Sequence, residues 1–365
     1  MRALNLNVDQ NSIRLSEVVS ALSLALDLTE GQPMGHAIRS CILGMRIAEE
    51  LGLPSEDCSD LYYALLLKDS GCSSNSARMH AILGSDDIQA KREVKLQDMA
   101  KISLAGVVYM FNNIMPEAPL WQRIMRLLKV GTQAKKINAE LVGARCERGA
   151  DIARMIGLSE NAALAIRGLD EHWDGEGYPD GAKGEETPIL ARIINISQTL
   201  EVFAAEDGPE AAIQVAKDRS GTWFDPELVK IVKSLRNDEM LWAKATADDP
   251  RPYVLRMEPG AALPATPERI DSLCRAFASV IDAKSPYTFN HSVGVSEAAV
   301  KIAQGMALAP ATVQMIRRAG LLHDIGKLSV SNAILEKPGK LDDDEWKVMK
   351  LHPVYSRVVL KAVSG

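Results

Sequence analysis

The chain has 365 residues, of which 47% are hydrophobic and 5% aromatic, and it carries a formal net charge of -6. This length exceeds one ordinary compact domain, so we expect two domains. A net negative charge excludes a general attraction to nucleic acid polymers or anionic membranes, so any phosphate ligand must be held by local groups. The sequence lacks a run of the roughly 18 apolar residues that span a bilayer, lacks a signal-peptide pattern, and has five cysteines without a CxxC pair. We therefore expect a cytoplasmic protein with reduced thiols and no membrane insertion.

Helical spacing dominates the first part of the chain. Apolar residues recur every three or four positions and few runs alternate with a period of two, so the sequence predicts an all-α fold. The pattern predicts a break over Thr29–Pro33 and separate helices over Leu120–Val130 and Ala134–Ile156. Between later helices, His172–Pro188 is rich in Gly, Pro and Asp-Gly steps, which predicts an irregular loop. Asp225 directly precedes a proline and predicts a helix N-cap.

A proline-rich segment divides the chain. Five prolines fall between Lys244 and Pro267, which predicts a stiff linker. We therefore expect one domain over 1–243, a linker over 244–266 and a second domain over 267–365.

After the linker, the chain repeats itself. A shift of 255 positions superposes residues 27–71 on residues 282–326 without a gap, and the interval from His36 to Lys68 equals that from His291 to His323. The matched pairs include Asp27 with Asp282, His36 with His291, Ala64 with Ala319, Leu66 with Leu321, Asp69 with Asp324 and Gly71 with Gly326. This pattern indicates a duplicated helical module.

The stretch Ala319–Leu335 of the second copy carries the strongest chemical signal. An apolar lead-in brings His323 and Asp324 side by side to the end of a helix. Imidazole nitrogen and carboxylate oxygen together bind ions such as Mn, Fe and Zn, and one carboxylate can bridge two ions. For an isolated pair, a core histidine beside a helix-capping aspartate is the commoner explanation.

Other residues of the second copy favour the metal site. His291 lies near the start of one helix, His352 precedes a proline after another, and Lys327 follows the His-Asp pair closely enough to offer its ammonium to a phosphate. Three histidines and one aspartate on separate helices form a plausible ligand set. The acidic run Asp342–Glu345 is better explained as a helix capping box than as a metal cluster.

Three blocks in this order, IDAKSPYTFNHS, GLLHDIGKLSVSNAILEKPGKL and LDDDEWKVMKLHP, resemble the HD-GYP branch of the HD superfamily of metal-dependent phosphohydrolases. The resemblance covers about Ser279 to Val363. It implies tandem HD-type helical bundles, a centre with two or three metals, and hydrolysis of the bacterial second messenger cyclic di-GMP. In such a centre the ions activate water and neutralise charge that develops on the phosphoryl group.

The resemblance also implies roles for single residues. His291, His323, Asp324 and His352 would be metal ligands, Asp324 would bridge two ions, and Lys327 would contact the scissile phosphate. Members with a third metal usually carry a glutamate where this chain has Tyr287, so we expect two divalent ions. Their identity as Fe, Mn or Zn is open.

The second copy reaches Gly365 before the paired histidines, the GYP loop and the final aspartate of the family pattern. We therefore expect either a fragment or an early end, and a complete two-metal shell cannot be assembled from the second copy alone. The first copy has those later elements, since HWDGEGYPDG resembles the GYP loop. Its metal positions, however, are largely replaced, by Lys68, Arg145, Leu169, Asp170 and Gln198.

Because only His36 and Asp69 survive in the first copy, we expect no catalytic metal there and interpret this copy as an interaction or regulatory domain. It also carries an insertion near 73–120, because Lys68 lies much farther from Arg145 than His323 lies from His352. A surface for a protein partner and a tolerated surface excursion explain the insertion equally well.

Three functions remain in competition. The first is a cyclic di-GMP phosphodiesterase that acts through the second His-Asp motif. The second is a catalytically inactive signalling or scaffold protein that binds a partner protein or nucleotide. The third is a metal-dependent hydrolase of another phosphoester or nucleotide.

Overall fold

The computed structural model of the chain describes residues 13–83, 86–96, 119–288 and 290–363. Within these ranges the regular structure is helical and contains no β-strand, so the predicted all-α fold is confirmed. The first-copy helices are α1 Leu15–Thr29, α2 His36–Leu51, α3 Ser55–Leu67, α4 Ser76–Leu83, α5 Asp87–Leu96, α6 Leu120–Ile156, α7 Glu160–Arg167, α8 Ile189–Asp207, α9 Pro209–Asp218, α10 Pro226–Ser234 and α11 Glu239–Ala245. They are followed by α12 Arg251–Arg256, α13 Pro267–Ala283, α14 His291–Gly305, α15 Pro310–Leu322, α16 Asn332–Leu335, α17 Asp343–Met349 and α18 His352–Lys361.

Two predicted helix starts are confirmed by their hydrogen bonds. The Asp225 side chain accepts from the backbone N–H of Glu227 at 2.8 Å, with proline at the first turn of α10. Asp342 accepts from the backbone N–H of Glu345 at 2.9 Å, and Glu345 accepts from that of Asp342 at 2.8 Å. This reciprocal pair is a capping box, which satisfies backbone donors that a helix start leaves free.

The two helices predicted over 120–130 and 134–156 are one continuous helix, α6, of 37 residues. The predicted separation of the two helices, over residues 131–133, was wrong. A single glycine costs a helix only about 1 kcal/mol relative to alanine, and the flanking residues are mostly good helix formers.

The repeat is visible in matching hydrogen bonds. Asp27 Oδ1 accepts from the backbone N–H of Ala37 at 3.0 Å, and Asp282 Oδ1 accepts from that of Ser292 at 3.2 Å. Each aspartate thus ties the end of one helix to the start of the next, which carries His36 or His291.

At equivalent glycines of the two copies, the backbone lies unusually close to another backbone segment. A Cβ atom at Gly71 would lie 1.9 Å from the carbonyl oxygen of Arg145, and a Cβ atom at Gly326 would lie 1.9 Å from that of His352. Only glycine permits such an approach. Arg145 and His352 therefore occupy equivalent places in the two copies.

The two copies pack on each other reciprocally. Helix α1 of the first copy lies against the Ile325–Ser329 turn of the second, and α13 of the second copy lies against the Cys72–Asn75 turn of the first. Equivalent elements exchange equivalent contacts, as in a symmetric dimer interface. One hydrophobic core includes residues of both copies.

The proline-rich segment is packed rather than detached. It contains α12, whose Val254 is fully buried and accepts a hydrogen bond at its carbonyl oxygen from the hydroxyl of Tyr62 at 3.1 Å. Farther on, Leu263 O accepts from the backbone N–H of Leu15 at 2.7 Å. The segment therefore runs along the first copy, and the boundaries 1–243, 244–266 and 267–365 stay predictions.

The described part of the insertion is not a plain surface excursion. Asp87, Ala90 and Lys91 of α5 are buried, because the two charged side chains find polar partners on both copies. Residues 84–85 and 97–118, which complete the predicted insertion, lie outside the described ranges.

Across the described helices, none is both long and apolar enough to cross a membrane.

Candidate metal centre

Four separate elements bring the predicted ligand residues to one place. His291 begins α14, His323 and Asp324 directly follow α15, and His352 begins α18 with a proline in its first turn. Lys327 lies in the short 3-10 turn after Asp324. Since Gly326 lets this turn approach the start of α18, the turn and His352 are held together.

The three imidazoles surround one carboxylate. The Nε2 atoms of His291 and His323 lie 3.5 Å and 3.1 Å from Asp324 Oδ2, and the Nε2 atom of His352 lies 3.5 Å from Asp324 Oδ1. Lys327 Nζ donates to Asp324 Oδ2 at 2.6 Å. The Asp324 side chain is only 6% exposed, whereas those of His291 and His323 are 43% and 36% exposed.

Two of the imidazoles are oriented by backbone carbonyls. His323 Nδ1 lies 2.8 Å from Gly320 O, and His352 Nδ1 lies 2.7 Å from Met349 O. A carbonyl oxygen can only accept, so each Nδ1 carries a proton. The Nε2 atom of the neutral ring then presents a lone pair, which is how proteins commonly prepare a metal-ligating histidine.

These lone pairs face the oxygens of Asp324, which are also acceptors. Protonating all three imidazoles would place three positive charges, in addition to that of Lys327, around a single carboxylate. If the rings are neutral, their nitrogen lone pairs and the carboxylate oxygens repel each other, and a bound cation would offset this repulsion. The donor set of imidazole and carboxylate therefore fits a divalent ion.

The ligand positions fall on two sides of Asp324. Donor atoms of His291, His323 and Asp324 lie within 4.8 Å of one another and form one candidate set. His352 approaches the other carboxylate oxygen. The structure thus brings together all four predicted ligand residues, with His352 apart from the other two imidazoles.

In the first copy, a lysine ammonium lies between the surviving ligand residues. Lys68 Nζ lies 2.8 Å from His36 Nε2 and donates to Asp69 Oδ2. All three side chains are buried. Lys68 therefore supplies, within the protein, the positive charge that an ion would supply between an imidazole and a carboxylate.

Glu201 of α8 completes this buried network. It contacts His36 Nδ1 and accepts from Arg39 Nε at 2.6 Å. Burial alone would raise the pKa of Glu201, but His36 and Arg39 hold it below its ordinary value. Two acidic side chains, Glu201 and Asp69, are thus paired with two basic ones, Arg39 and Lys68, inside the protein.

A second ion pair of the first copy, between Arg145 and Asp170, lies at positions that the family resemblance assigns to metal ligands. Arg145, at the place of His352, donates to Asp170 Oδ2 through Nε at 3.0 Å and also through Nη2. The family resemblance assigns Asp170 to one of the paired-histidine positions. Glu30, Asp69 and Cys72 also come within 4.8 Å of one another, but Glu30 is paired with Lys91 at 3.6 Å and Asp69 with Lys68.

The exposure of matched residues differs between the two copies. Helix α8 packs against α2, where Ile38 and Ile47 are buried. The equivalent residues of α14, Val293 and Ile302, are 38% and 64% exposed. His36, at the start of α2, is fully buried.

Sequence reasoning missed Glu201, Asp87 and Lys284, all of which are buried charged residues. Glu201 gave a usable signal, since it is a lone acidic residue within the apolar face of ILARIINISQTLEVF. Asp87 and Lys284 lie in polar segments, where a charge is unremarkable in sequence.

Replacing Gly326 by alanine should displace His352. The added methyl group would lie 1.9 Å from His352 O and 2.7 Å from Ser356 N, so backbone must move. We expect a loss of about 3 kcal/mol in the free energy of unfolding and a loss of activity on the order of 100-fold in the protein that remains folded. Urea denaturation and a hydrolysis assay measure the two effects.

The control for this change is Gly131→Ala, a helical glycine with open space around its Cβ position. It should stabilise α6 by up to about 1 kcal/mol and leave activity unchanged. Wild-type stability and activity in the Gly326→Ala protein would contradict the close approach.

Comparison with known proteins agrees with the tandem architecture. Models of the HD domain match residues 85–228 and 288–365. The 3'3'-cGAMP-specific phosphodiesterase 3 of Vibrio cholerae is 41% identical over 361 residues, which cover 98% of this chain and 78% of that protein. A cyclic di-GMP phosphodiesterase of Pseudomonas aeruginosa is 45% identical over 67 residues, covering 18% of this chain and 16% of that protein.

A crystal structure of a cyclic GMP-AMP specific phosphodiesterase from V. cholerae is also similar, with a TM-score of 0.71 and 38% identity over 97% of this chain and 80% of that one. A relative this similar over most of both chains shares the family as well as the fold. Together with the two HD domain matches, it identifies the chain as a member of the HD-GYP branch of the HD superfamily of metal-dependent phosphohydrolases.

Proposed function

We propose that the protein hydrolyses a cyclic dinucleotide at the second-copy centre, with 3'3'-cGAMP as the first candidate substrate and cyclic di-GMP as the second. The observation that carries the proposal is the convergence of three imidazole Nε2 atoms on one buried carboxylate, that of Asp324. The order of the two candidates follows the relative that is similar along 98% of this chain and is specific for 3'3'-cGAMP.

In this proposal Asp324 and the three histidines would hold two divalent ions. Its Oδ2 faces His291 and His323, and its Oδ1 faces His352, so each carboxylate oxygen has its own imidazole partners. The nitrogen and oxygen donors suit Mn, Fe or Zn. When bound, the ions would activate water and stabilise charge on the phosphoryl group.

Lys327 has a separate role. Its ammonium lies 2.6 Å from Asp324 Oδ2, so it is next to the ligand set. A lysine acts as a point charge toward phosphate. We assign Lys327 to binding a non-bridging oxygen of the scissile phosphate.

The first copy has no part in the chemistry under this proposal. Its counterpart site holds Lys68 and Arg145, whose charges are neutralised inside the protein. Such a site offers neither open ligand atoms nor access for a substrate. That the first copy binds a separate protein partner stays a prediction.

The test is a substrate panel with metal-loaded protein, including any residues that its gene encodes after Gly365. Hydrolysis of 3'3'-cGAMP, cyclic di-GMP and bis-(p-nitrophenyl) phosphate is followed by chromatography with Mn²⁺, Fe²⁺ or Zn²⁺. We expect a cyclic dinucleotide to exceed the generic diester by at least about 100-fold in kcat/KM and His323→Ala to abolish its turnover. Activity that survives both His323→Ala and Asp324→Ala refutes the assigned centre, and a preference for the generic diester favours hydrolysis of another phosphoester.

A further inference from the structure

Helix α5 of the insertion carries two buried charged residues one turn apart. Asp87 and Lys91 are four positions apart and therefore lie on neighbouring parts of one helix surface. Both belong to the first copy in sequence. Their partners, however, belong to different copies.

Asp87 contacts the second copy. Its Oδ1 accepts from Ser331 Oγ at 3.0 Å and from the backbone N–H of Asn332 at 2.7 Å, at the start of α16. Its Oδ2 lies 3.5 Å from Lys284 Nζ. The Asp87 side chain is fully buried and that of Lys284 is 2% exposed, so this ion pair is shielded from water.

Lys91 contacts the first copy. Its Nζ donates to Ser76 Oγ at 2.8 Å, to Cys72 O at 2.9 Å and to Thr29 O at 3.3 Å. Lys91 Nζ also lies 3.6 Å from Glu30, which comes close to Asp69 and Cys72 of the first copy.

The shift of 255 positions relates these two sets of contacts. It places Ser76 on Ser331 and Thr29 on Lys284. Helix α5 therefore binds the two copies at equivalent positions, the first through a cation and the second through an anion. The insertion, through α5, thus forms part of the contact between the two copies.

In the second copy these positions flank the candidate centre. Ser331 lies four residues after Lys327, and Lys284 lies seven residues before His291. Asn332 Nδ2 donates to Lys284 O at 2.8 Å and so joins the two flanking segments. Asp87 consequently holds both segments through one side chain.

The charges at this contact depend on each other. Burial lowers the pKa of Lys284 to about 8, and burial would raise the pKa of Asp87, but Lys284 and Lys91 hold it below its ordinary value. Removing either charge leaves the other buried without its partner, which strongly destabilises that arrangement.

We propose that Asp87 is a positioning residue for the second-copy centre, and that α5 makes the geometry of that centre depend on the degenerate first copy. The proposal rests on the proposed function only for its activity readout. It gives the insertion an internal role, as the link that fixes the segments before His291 and after Lys327.

The test compares full-length wild type, Asp87→Ala and Asp87→Asn under conditions where circular dichroism shows folded protein. The value of kcat is measured at saturating metal and substrate, and Mn²⁺ affinity is measured by titration of metal-free protein. In Asp87→Ala we expect kcat to fall on the order of 10-fold to 100-fold, Mn²⁺ affinity to fall about tenfold, and the backbone amide of Asn332 to exchange hydrogen about tenfold faster. Asp87→Asn keeps an acceptor for that amide, so its values should lie between those of wild type and Asp87→Ala.

Two further variants separate positioning from stability alone. Asp86→Asn alters the adjacent, exposed carboxylate, which caps α5 itself, and should leave all three readouts at wild-type values. Asp87→Ala combined with Lys284→Met removes the unpaired charge, so thermal stability should recover while kcat stays low.

The proposal is overturned if folded Asp87→Ala matches wild type in kcat, Mn²⁺ affinity and Asn332 exchange, or if the double variant regains kcat together with stability. If the wild type turns over no cyclic dinucleotide, the proposed function fails separately. Mn²⁺ affinity and hydrogen exchange then still decide the role of Asp87.

Discussion

Replacing Asp324 by asparagine should abolish hydrolysis and release the metal. The change keeps the size of a side chain that is only 6% exposed but removes the charge on which three imidazoles converge. Metal ions supply several kcal/mol of transition-state stabilisation, and each 1.4 kcal/mol corresponds to about a tenfold change in rate. We therefore expect kcat/KM for the cyclic dinucleotide to fall by about 10³-fold. The amount of bound metal, measured by mass spectrometry, should fall as well.

The chain contains its own matched control. Asp69 occupies the equivalent position of the first copy, where it is paired with Lys68. Asp69→Asn should lower stability, because it leaves a buried ammonium without its counter-charge, but metal content and the kcat of folded protein should stay near wild type. Equal losses of metal from the two variants would mean that the first copy also holds an ion, contrary to our assignment.

Replacing Lys68 by methionine should produce the largest loss of stability. Methionine is similar in length and apolar, but it leaves the buried Asp69 carboxylate without the ammonium that now contacts it and His36. Breaking a buried ion pair from one side typically costs about 3–5 kcal/mol. Urea denaturation followed by tryptophan fluorescence measures the loss, since Trp173, Trp223 and Trp242 all lie in the first copy.

The control is Lys136→Met, which removes a lysine of the same copy whose side chain is 80% exposed and 4.0 Å from Glu140. An exposed pair of this kind contributes less than about 1 kcal/mol, so this variant should unfold close to wild type. If Lys68→Met unfolded at the same urea concentration as Lys136→Met, the Lys68 ammonium would not be the charge that balances the first-copy site.

The architecture could be predicted from sequence because its signals are local or periodic. Helical spacing, the caps at Asp225 and Asp342, and the repeat over 255 positions each follow from residue types at fixed intervals. The two helices predicted over 120–130 and 134–156 are one, because the cost of the single glycine between them is smaller than the support its neighbours provide.

The candidate site, too, could be predicted only in part. The convergence of His291, His323, Asp324 and His352 was expected mainly from the family resemblance, and the structure places the three imidazoles around one carboxylate. The carbonyl groups of Gly320 and Met349 that orient two of the rings could not be predicted, since backbone partners leave no trace in residue identity.

Contacts between the copies were the least predictable part. Asp87 looked like one more surface charge, and only the packing of α5 between the copies shows why it is buried. A long-range ion pair such as that of Asp87 with Lys284 has no spacing rule, because its two residues are nearly two hundred positions apart.

The central claim is that His291, His323, Asp324 and His352 share a metal centre. Crystals grown with Mn²⁺ and measured near the manganese absorption edge test it directly through an anomalous difference map. The account predicts density beside Asp324, between its carboxylate oxygens and the Nε2 atoms of the three histidines, and none between His36 and Asp69. A map with no peak at Asp324, from crystals whose protein retains manganese, would contradict it.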